Sequence, residues 1–184
     1  MISNTVTLFR LSLIFPLFFL LISQGAGWPA LGLFLGAGLL DIVDGKLARH
    51  LNETSALGAM LDLVADRLLT LTAICGLLVH GDWSLLAATC AILIIARDVV
   101  TASLGEALGN KHTLKDSRIE HPKIAISFAG LGLTMTPLES LPGITISAHA
   151  LGEMLIVLAA ILTLITLVDY FCQTITALRK EPML

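Results

Sequence analysis

Six long apolar stretches, separated by short polar ones, run along this chain of 184 residues. Stretches such as LSLIFPLFFLLIS, WSLLAATCAILIIA and ALGEMLIVLAAILTLITLV are apolar on every side of a helix, not only along one face. Helices of this kind belong in a membrane or in the centre of a large protein, because no side of them favours water. The pattern therefore predicts an all-α integral membrane protein with six transmembrane helices.

Polar segments set the ends of the six predicted helices. QGAGWP, HGDW and TPLESLPGITIS contain the Gly, Pro and Ser residues of short connections, whereas GEALGNKHTLKDSRIEHP is a longer, charged loop. An amphipathic interfacial turn at residues 5–10 is expected before an uncleaved first helix. The predicted helices cover residues 11–23, 29–49, 56–79, 83–104, 123–136 and 148–178, within a single domain of residues 1–184.

The composition favours a membrane protein over a soluble bundle with an unusually apolar core. Apolar residues make up 56% of the chain and charged residues 14%, against about 45–50% and about 25% in soluble domains. The net charge of −3 and the lack of a basic stripe argue against nucleic acid as a partner. The three cysteines lie far apart in apolar segments, a pattern typical of packing residues.

Lysine and arginine are distributed unevenly about this layout. If the N-terminus is cytoplasmic, the three outward connections contain no lysine or arginine at all. The positive-inside rule predicts this asymmetry, so we expect a multi-pass protein of a bacterial inner membrane with both termini in the cytoplasm. The inward basic residues are Arg10, Lys46, Arg49, Lys111, Lys115, Arg118, Lys123, Arg179 and Lys180.

Four aspartates lie at the inner ends of the second and third predicted helices. Asp41 and Asp44 are three residues apart, and each therefore shares a helix face with the other. Asp62 and Asp66, four residues apart, do the same on the next helix. Four carboxylates exposed to lipid would cost on the order of 10 kcal/mol, so we expect them to face a polar cavity, water or cations.

The residues of this segment favour divalent metal ions and phosphate as ligands. Carboxylate oxygens suit Mg²⁺, Mn²⁺ or Ca²⁺, whereas zinc favours nitrogen and sulfur. Two such ions a few ångströms apart would hold a phosphoryl group for in-line displacement. A lone aspartate at a membrane edge commonly caps a helix or pairs with a basic residue, but that explanation does not fit four on two facing helices. Gly45, Gly58 and Ala48 leave room for a ligand, and Arg49 offers a planar fork to phosphate.

Eight positions at fixed spacing resemble the signature of the CDP-alcohol phosphotransferase (CDP-alcohol phosphatidyltransferase) family. The segment NTVTLFR, before the first span, looks like the opening of that family's phosphatidylglycerophosphate synthases. The resemblance covers nearly the whole chain, although only the signature is highly specific. The eight positions are Asp41, Asp44, Gly45, Ala48, Arg49, Gly58, Asp62 and Asp66.

The resemblance implies an integral membrane homodimer that uses CDP-diacylglycerol or a related CDP-linked donor, with a small anionic alcohol as the acceptor. The cofactors it implies are two ions of Mg²⁺ or Mn²⁺, held by Asp41, Asp44, Asp62 and Asp66. It assigns the binding of cytidine diphosphate to Asp44, Gly45, Ala48, Arg49 and Gly58. Asp66 matches the family's general base, which deprotonates the acceptor hydroxyl. That hydroxyl then attacks the phosphorus nearer the lipid and expels CMP.

The anionic acceptor requires cations elsewhere in the chain. Arg97 lies inside the fourth predicted helix, where a charge is costly and marks a functional site by default. Pairing with Asp98 is the structural alternative, although adjacent side chains on a helix point about 100° apart. We expect Arg97 to bind the acceptor together with Lys123 and Arg118.

The identity of the acceptor stays open at this level. Glycerol 3-phosphate, giving phosphatidylglycerophosphate, is the leading expectation, but the synthases usually carry Arg-Glu and Gly-Lys-x-Lys-Thr where this chain has ARD and HPKIAIS. An Arg-Asp pair also resembles single-signature cardiolipin synthases, and an inositol-phosphate-type transferase is a further alternative. A divalent-cation transporter is a different class; it is disfavoured because its carboxylates would lie near the midplane of the membrane.

Overall fold

The computed structural model describes residues 2–51, 56–81, 83–108, 120–138 and 147–180. Within these residues the chain forms α-helices and no β-strand. The helices are α1 (Ile2–Gln24), α2 (Trp28–Leu51), α3 (Ala56–His80), α4 (Leu85–Leu108), α5 (Glu120–Met135) and α6 (Ala148–Lys180). The predicted all-α class is confirmed, and each predicted span corresponds to one of these helices.

The first helix differs from its prediction at the N-terminal end. Residues 5–10, expected as an interfacial turn, are continuous with the rest of α1, which begins at Ile2. The physical reason lies in the packing of this segment, because Thr7 and Arg10 are each only 2% exposed. Residues 6–10 therefore belong to the first helix, with Thr7 and Arg10 on a buried face and Leu8 and Phe9 exposed.

Four helical segments in the described part of the chain are long and apolar enough to cross a membrane. They are Val6–Gln24, Met60–His80, Leu85–Leu104 and Ala148–Thr176, while Trp28–Asp41 and Pro122–Met135 are shorter apolar helices. Their outward faces are apolar as well, since Phe15, Phe19 and Leu85 are 79%, 71% and 82% exposed. Large apolar side chains in such numbers on the exterior are typical of a surface that faces lipid.

Two glycines end helices in the way that the turn segments predict. Gly25, after α1, has φ +71° and its N–H donates to the carbonyl of Leu21 at 3.1 Å. Gly81, after α3, has φ +84° and donates to the carbonyl of Leu77 at 3.2 Å. Glycine adopts this left-handed conformation without strain, and the bond caps the last turn of each helix.

The helices fall into two compact units, which are described separately. The first comprises residues 1–83 and 131–152, and the second comprises residues 84–130 and 153–184. In the first unit, α1 packs along both α2 and α3, whereas α2 and α3 contact each other at few of the positions that the structure describes. The helix α1 thus lies between the two helices that carry the aspartates.

Small residues allow α1 and α3 to approach closely. On α3, Ala65, Ala73 and Gly76 are buried at intervals of one or two turns. Leu17 and Leu21 of α1 are 1% and 0% exposed. Small side chains at such positions let two membrane helices pack backbone against side chain, which is the main source of their affinity.

Gly76→Ala should destabilise the protein by about 1–3 kcal/mol, because overpacking a tight helix contact forces the helices apart. A Cβ atom at this position would lie 2.6 Å from the Cβ of Leu21, an atom fixed to the backbone of α1. The melting temperature in detergent measures the effect. Gly32→Ala is the matched control, since nothing lies within 4 Å of its added Cβ; an equal loss in both variants would contradict the packing argument.

In the second unit, a polar contact joins the start of α4 to α6. The carboxylate of Glu153 accepts hydrogen bonds from the backbone N–H and the hydroxyl of Ser84, at 2.7 and 2.9 Å. The Ser84 hydroxyl in turn accepts from the N–H of Ala87 at 3.3 Å. Ser84 is therefore the N-cap of α4, and a side chain of α6 holds it in place.

Candidate active site

Three of the four predicted aspartates meet around one guanidinium in the first unit. Arg10 of α1 donates through Nη1 to Oδ1 of Asp41 on α2 and through Nη2 to Oδ1 of Asp66 on α3. The same Nη1 lies 3.3 Å from Oδ1 of Asp62, one turn before Asp66. The structure thus brings the acidic residues of α2 and α3 together, as predicted, but a residue of α1 joins them.

The guanidinium and the carboxylates differ sharply in exposure. The Arg10 side chain is 2% exposed, whereas those of Asp41, Asp62 and Asp66 are 31%, 49% and 53% exposed. The cation therefore lies beneath the carboxylates, and the open side of the cluster is acidic. Three carboxylates facing one guanidinium leave an excess of negative charge when all are ionised.

Arg10 is the main site residue that the sequence analysis missed, since it was taken as one of several inward basic residues. Its place in the site becomes visible only in the structure, through the spacing of buried positions on α1. Thr7, Arg10, Ile14 and Leu17 follow one another at intervals of three or four and are all buried. Residues at these intervals share one helix face, so Arg10 lies on the face that packs against α2 and α3.

The other signature positions are only partly described. Gly58 lies in α3, one turn before Asp62. Arg118, which is a predicted acceptor-binding residue and not a signature position, lies outside the described residues. The backbone of α2 includes four further predicted site residues whose side chains lie outside the described part: Asp44, Gly45, Ala48 and Arg49.

Asp41, Asp62 and Asp66, which together are called the acidic cluster, have donor atoms that suit a divalent cation of the predicted kind. All are carboxylate oxygens, which Mg²⁺ and Mn²⁺ prefer as ligands. The Oδ1 atoms of the three side chains all face the guanidinium of Arg10. Among the described residues, no three acidic, histidine or cysteine side chains are grouped as the ligands of one ion. The fourth predicted ligand, Asp44, belongs to the part of α2 whose side chains are not described.

A second polar cluster, in the other unit, contains two of the predicted acceptor residues. Arg97 of α4 donates through Nη1 to Oδ1 of Asp98 at 3.1 Å. Lys123 of α5 lies 3.7 Å from the same carboxylate oxygen. Both cations are buried, with 5% and 4% exposure, and together with Asp98 they are called the basic cluster.

The helix α6 completes the surroundings of Arg97. Thr166 accepts a hydrogen bond from Nη2 at 3.0 Å, and the ring of Tyr170 lies under the guanidinium at 5.0 Å. Thr166 and Tyr170 are four residues apart and share a face of α6. Cation–π contact and the hydroxyl fix the plane of the guanidinium. The sequence analysis singled out neither residue.

Comparison with known proteins identifies relatives over most of the chain. The CDP-diacylglycerol–glycerol-3-phosphate 3-phosphatidyltransferase of Cereibacter sphaeroides is 35% identical over 192 aligned positions, which cover 85% of this chain and 86% of that protein. The enzyme of the same name from Haemophilus influenzae is 30% identical over 171 positions, covering 90% and 88%.

Solved structures share the fold. The apo form of phosphatidylinositol phosphate synthase from Mycobacterium tuberculosis superposes with a TM-score of 0.73 at 19% identity, covering 98% of this chain and 93% of that one. The same synthase with CDP-DAG bound gives a TM-score of 0.69, covering 99% and 91%. A profile of the CDP-alcohol phosphatidyltransferases matches residues 1–171. Together with relatives at 30–35% identity over most of their length, this match shows that the chain belongs to the CDP-alcohol phosphatidyltransferase family.

Proposed function

We propose that this protein transfers a phosphatidyl group from CDP-diacylglycerol to a hydroxyl of glycerol 3-phosphate, forming phosphatidylglycerophosphate and releasing CMP. The observation that carries the proposal is the convergence of Asp41, Asp62 and Asp66 on one cationic centre. The membership of the family and the printed activity of its relatives from Cereibacter and Haemophilus support the same reaction.

Asp41, Asp44, Asp62 and Asp66 are the residues proposed to hold two ions of Mg²⁺ or Mn²⁺. Bound there, the ions would offset the charge of the donor's diphosphate and of the leaving CMP. Cytidine diphosphate is proposed to lie against Asp44, Gly45, Ala48, Arg49 and Gly58. The exposed side of the acidic cluster leaves the carboxylates accessible to such a ligand.

Asp66 is proposed as the general base. Its carboxylate is about half exposed and is held by Arg10 through Oδ1, so an acceptor can reach the side chain. The base takes the proton of the acceptor hydroxyl as the new P–O bond forms at the phosphorus nearer the lipid. The bond from that phosphorus to the CMP oxygen breaks, and CMP leaves with the electron pair.

The basic cluster of the second unit is proposed to bind the phosphate of the acceptor, with Arg118 as a further contributor. Arg97 and Lys123 are two buried cations beside Asp98, and cations of this kind bind phosphate through charge-assisted hydrogen bonds. Arg97 is oriented by Thr166 and Tyr170, which favours a planar bidentate contact with phosphate. Serine or choline would gain little from such a site.

We propose a single-domain homodimer in a bacterial inner membrane, with six crossing helices and both termini in the cytoplasm. The positive-inside distribution supports the orientation. The apolar segments of α2 and α5 are shorter than those of the other helices, so their crossing is part of the proposal. Cysteine labelling of the 24–28 turn and of the C-terminus, in sealed vesicles, tests the orientation.

CMP release by the purified protein tests the function. The assay contains CDP-diacylglycerol, Mg²⁺ or Mn²⁺, and one of three acceptors: glycerol 3-phosphate, phosphatidylglycerol or inositol phosphate. We expect release with glycerol 3-phosphate and its loss on chelation of the metal. Release with another acceptor only would replace the proposed substrate, and no release with any would contradict the transferase. Transport of the metal ion into liposomes without CMP release would favour the alternative class, a divalent-cation transporter.

A further inference from the structure

Arg10 is the most deeply buried charge of the acidic cluster. Its side chain is 2% exposed and bonds to the Oδ1 atoms of Asp41, Asp62 and Asp66. A guanidinium is always charged, and burying it unpaired is very costly. The carboxylates therefore stabilise Arg10 in its position, and Arg10 in turn offsets part of their mutual repulsion.

The arrangement of the helices makes this contact a link between the two acidic segments. Among the residues that the structure describes, α2 and α3 have few contacts with each other, and both pack on α1. Asp41 belongs to one of them, and Asp62 and Asp66 belong to the other. Among the described residues, Arg10 reaches both Asp41 of α2 and Asp62 and Asp66 of α3, and Asp41 and Asp62 also contact each other directly through a side-chain hydrogen bond.

The same oxygen atoms would serve a divalent cation. Arg10 approaches from the buried side, and the exposed side of the carboxylates remains open to an ion. A positive charge at their base lowers the net negative charge of the site. The affinity of an oxygen site for a divalent ion depends on that charge and on the rigidity of the ligands. Arg10 and the metal ions thus compete for the charge of one set of carboxylates.

We propose that Arg10 is a positioning residue that acts as an internal counter-ion: it holds the three carboxylates together without metal and weakens the binding of divalent ions to them. This inference rests on the proposed function in one respect, namely that the acidic cluster binds divalent metal. Its consequence is a protein that stays folded when metal is scarce and that binds metal less tightly than the carboxylates alone would.

Arg10→Gln tests the inference in a measurement that needs no turnover. The thermal unfolding of the full-length protein in detergent is followed with and without Mn²⁺, and Mn²⁺ binding is followed by the paramagnetic resonance of the free ion. We expect a lower melting temperature without metal, a larger rise on adding Mn²⁺, and a dissociation constant for Mn²⁺ about tenfold lower than that of the unaltered protein.

Two further variants separate this role from general effects of charge. Arg10→Lys keeps the charge but lacks the fork that reaches several carboxylates. Its rise in melting temperature on adding Mn²⁺ should therefore lie between that of Arg10→Gln and that of the unaltered protein. Arg67→Gln removes an exposed cation next to Asp66 in the sequence and should respond as the unaltered protein does. An equal response of Arg67→Gln and Arg10→Gln would overturn the inference, because screening alone would then explain it.

The other outcomes are also decisive. The inference is overturned if Mn²⁺ raises the melting temperature of Arg10→Gln by no more than it raises that of the unaltered protein. An absence of Mn²⁺ binding in this variant overturns it as well. Failure of Arg10→Gln to fold even in millimolar Mn²⁺ would assign Arg10 a packing role and overturn it too. The proposed function is judged separately, by CMP release from the unaltered protein.

Discussion

Asp66→Asn should lower the rate of CMP release about 10²- to 10⁴-fold, the usual contribution of a general base, while CDP-diacylglycerol still binds. The neutral amide cannot take a proton from the acceptor, but its oxygen can still contact a cation, and Asp41 and Asp62 remain in place. The rate is measured at saturating substrates, and donor binding is measured by the rise in melting temperature on adding CDP-diacylglycerol. A near-normal rate would exclude Asp66 as the base.

A matched pair of variants distinguishes the base from the other carboxylates. Asp62→Asn removes a proposed metal ligand without removing the base, so a higher concentration of Mn²⁺ should recover much of its rate. The same addition should not recover Asp66→Asn. Recovery of both site variants by Mn²⁺ would show that Asp66 acts only as a ligand.

Arg97→Ala should raise the KM for glycerol 3-phosphate about 10- to 100-fold, the size expected for losing a charged hydrogen bond. The KM for CDP-diacylglycerol should change little. The substitution removes one of the two buried cations beside Asp98 and leaves Lys123 in place. Steady-state kinetics in both substrates gives the two constants. Equal changes in both would assign Arg97 a packing role.

Thr166→Val provides the control for this prediction. It removes the hydroxyl that accepts from Arg97 but leaves both cations of the cluster present. We expect a rise in the KM for glycerol 3-phosphate well below that of Arg97→Ala. If the two variants behave alike, the orientation of the guanidinium, and not its charge, determines acceptor affinity.

The positions of the helices could be predicted well because their signals are local. Turn residues such as Gly25 and Gly81 break the apolar stretches, and the structure ends α1 and α3 at these glycines. Sequence spacing likewise placed Asp62 and Asp66 on one face of α3. Such features depend on a few consecutive residues, and the sequence contains them directly.

The contacts between helices could not be predicted in the same way. The apolar part of α1 has hydrophobic residues on every side, so its pattern does not mark the face that packs, and Arg10 was assigned to the membrane surface. The partners of Arg97 on α6 are 69 and 73 positions away along the chain. Which side chain completes a site depends on helix packing at long range, and no short pattern records it.

The position of α1 between α2 and α3 bears on how the protein is made. A membrane protein is inserted from its N-terminus as synthesis proceeds, and its helices associate after they have entered the bilayer. The helix that contains Arg10 is therefore synthesised before the aspartates of α2 and α3. Each acidic helix can pair its charge on arrival, and the order of the helices along the chain protects the nascent protein from unpaired carboxylates in lipid.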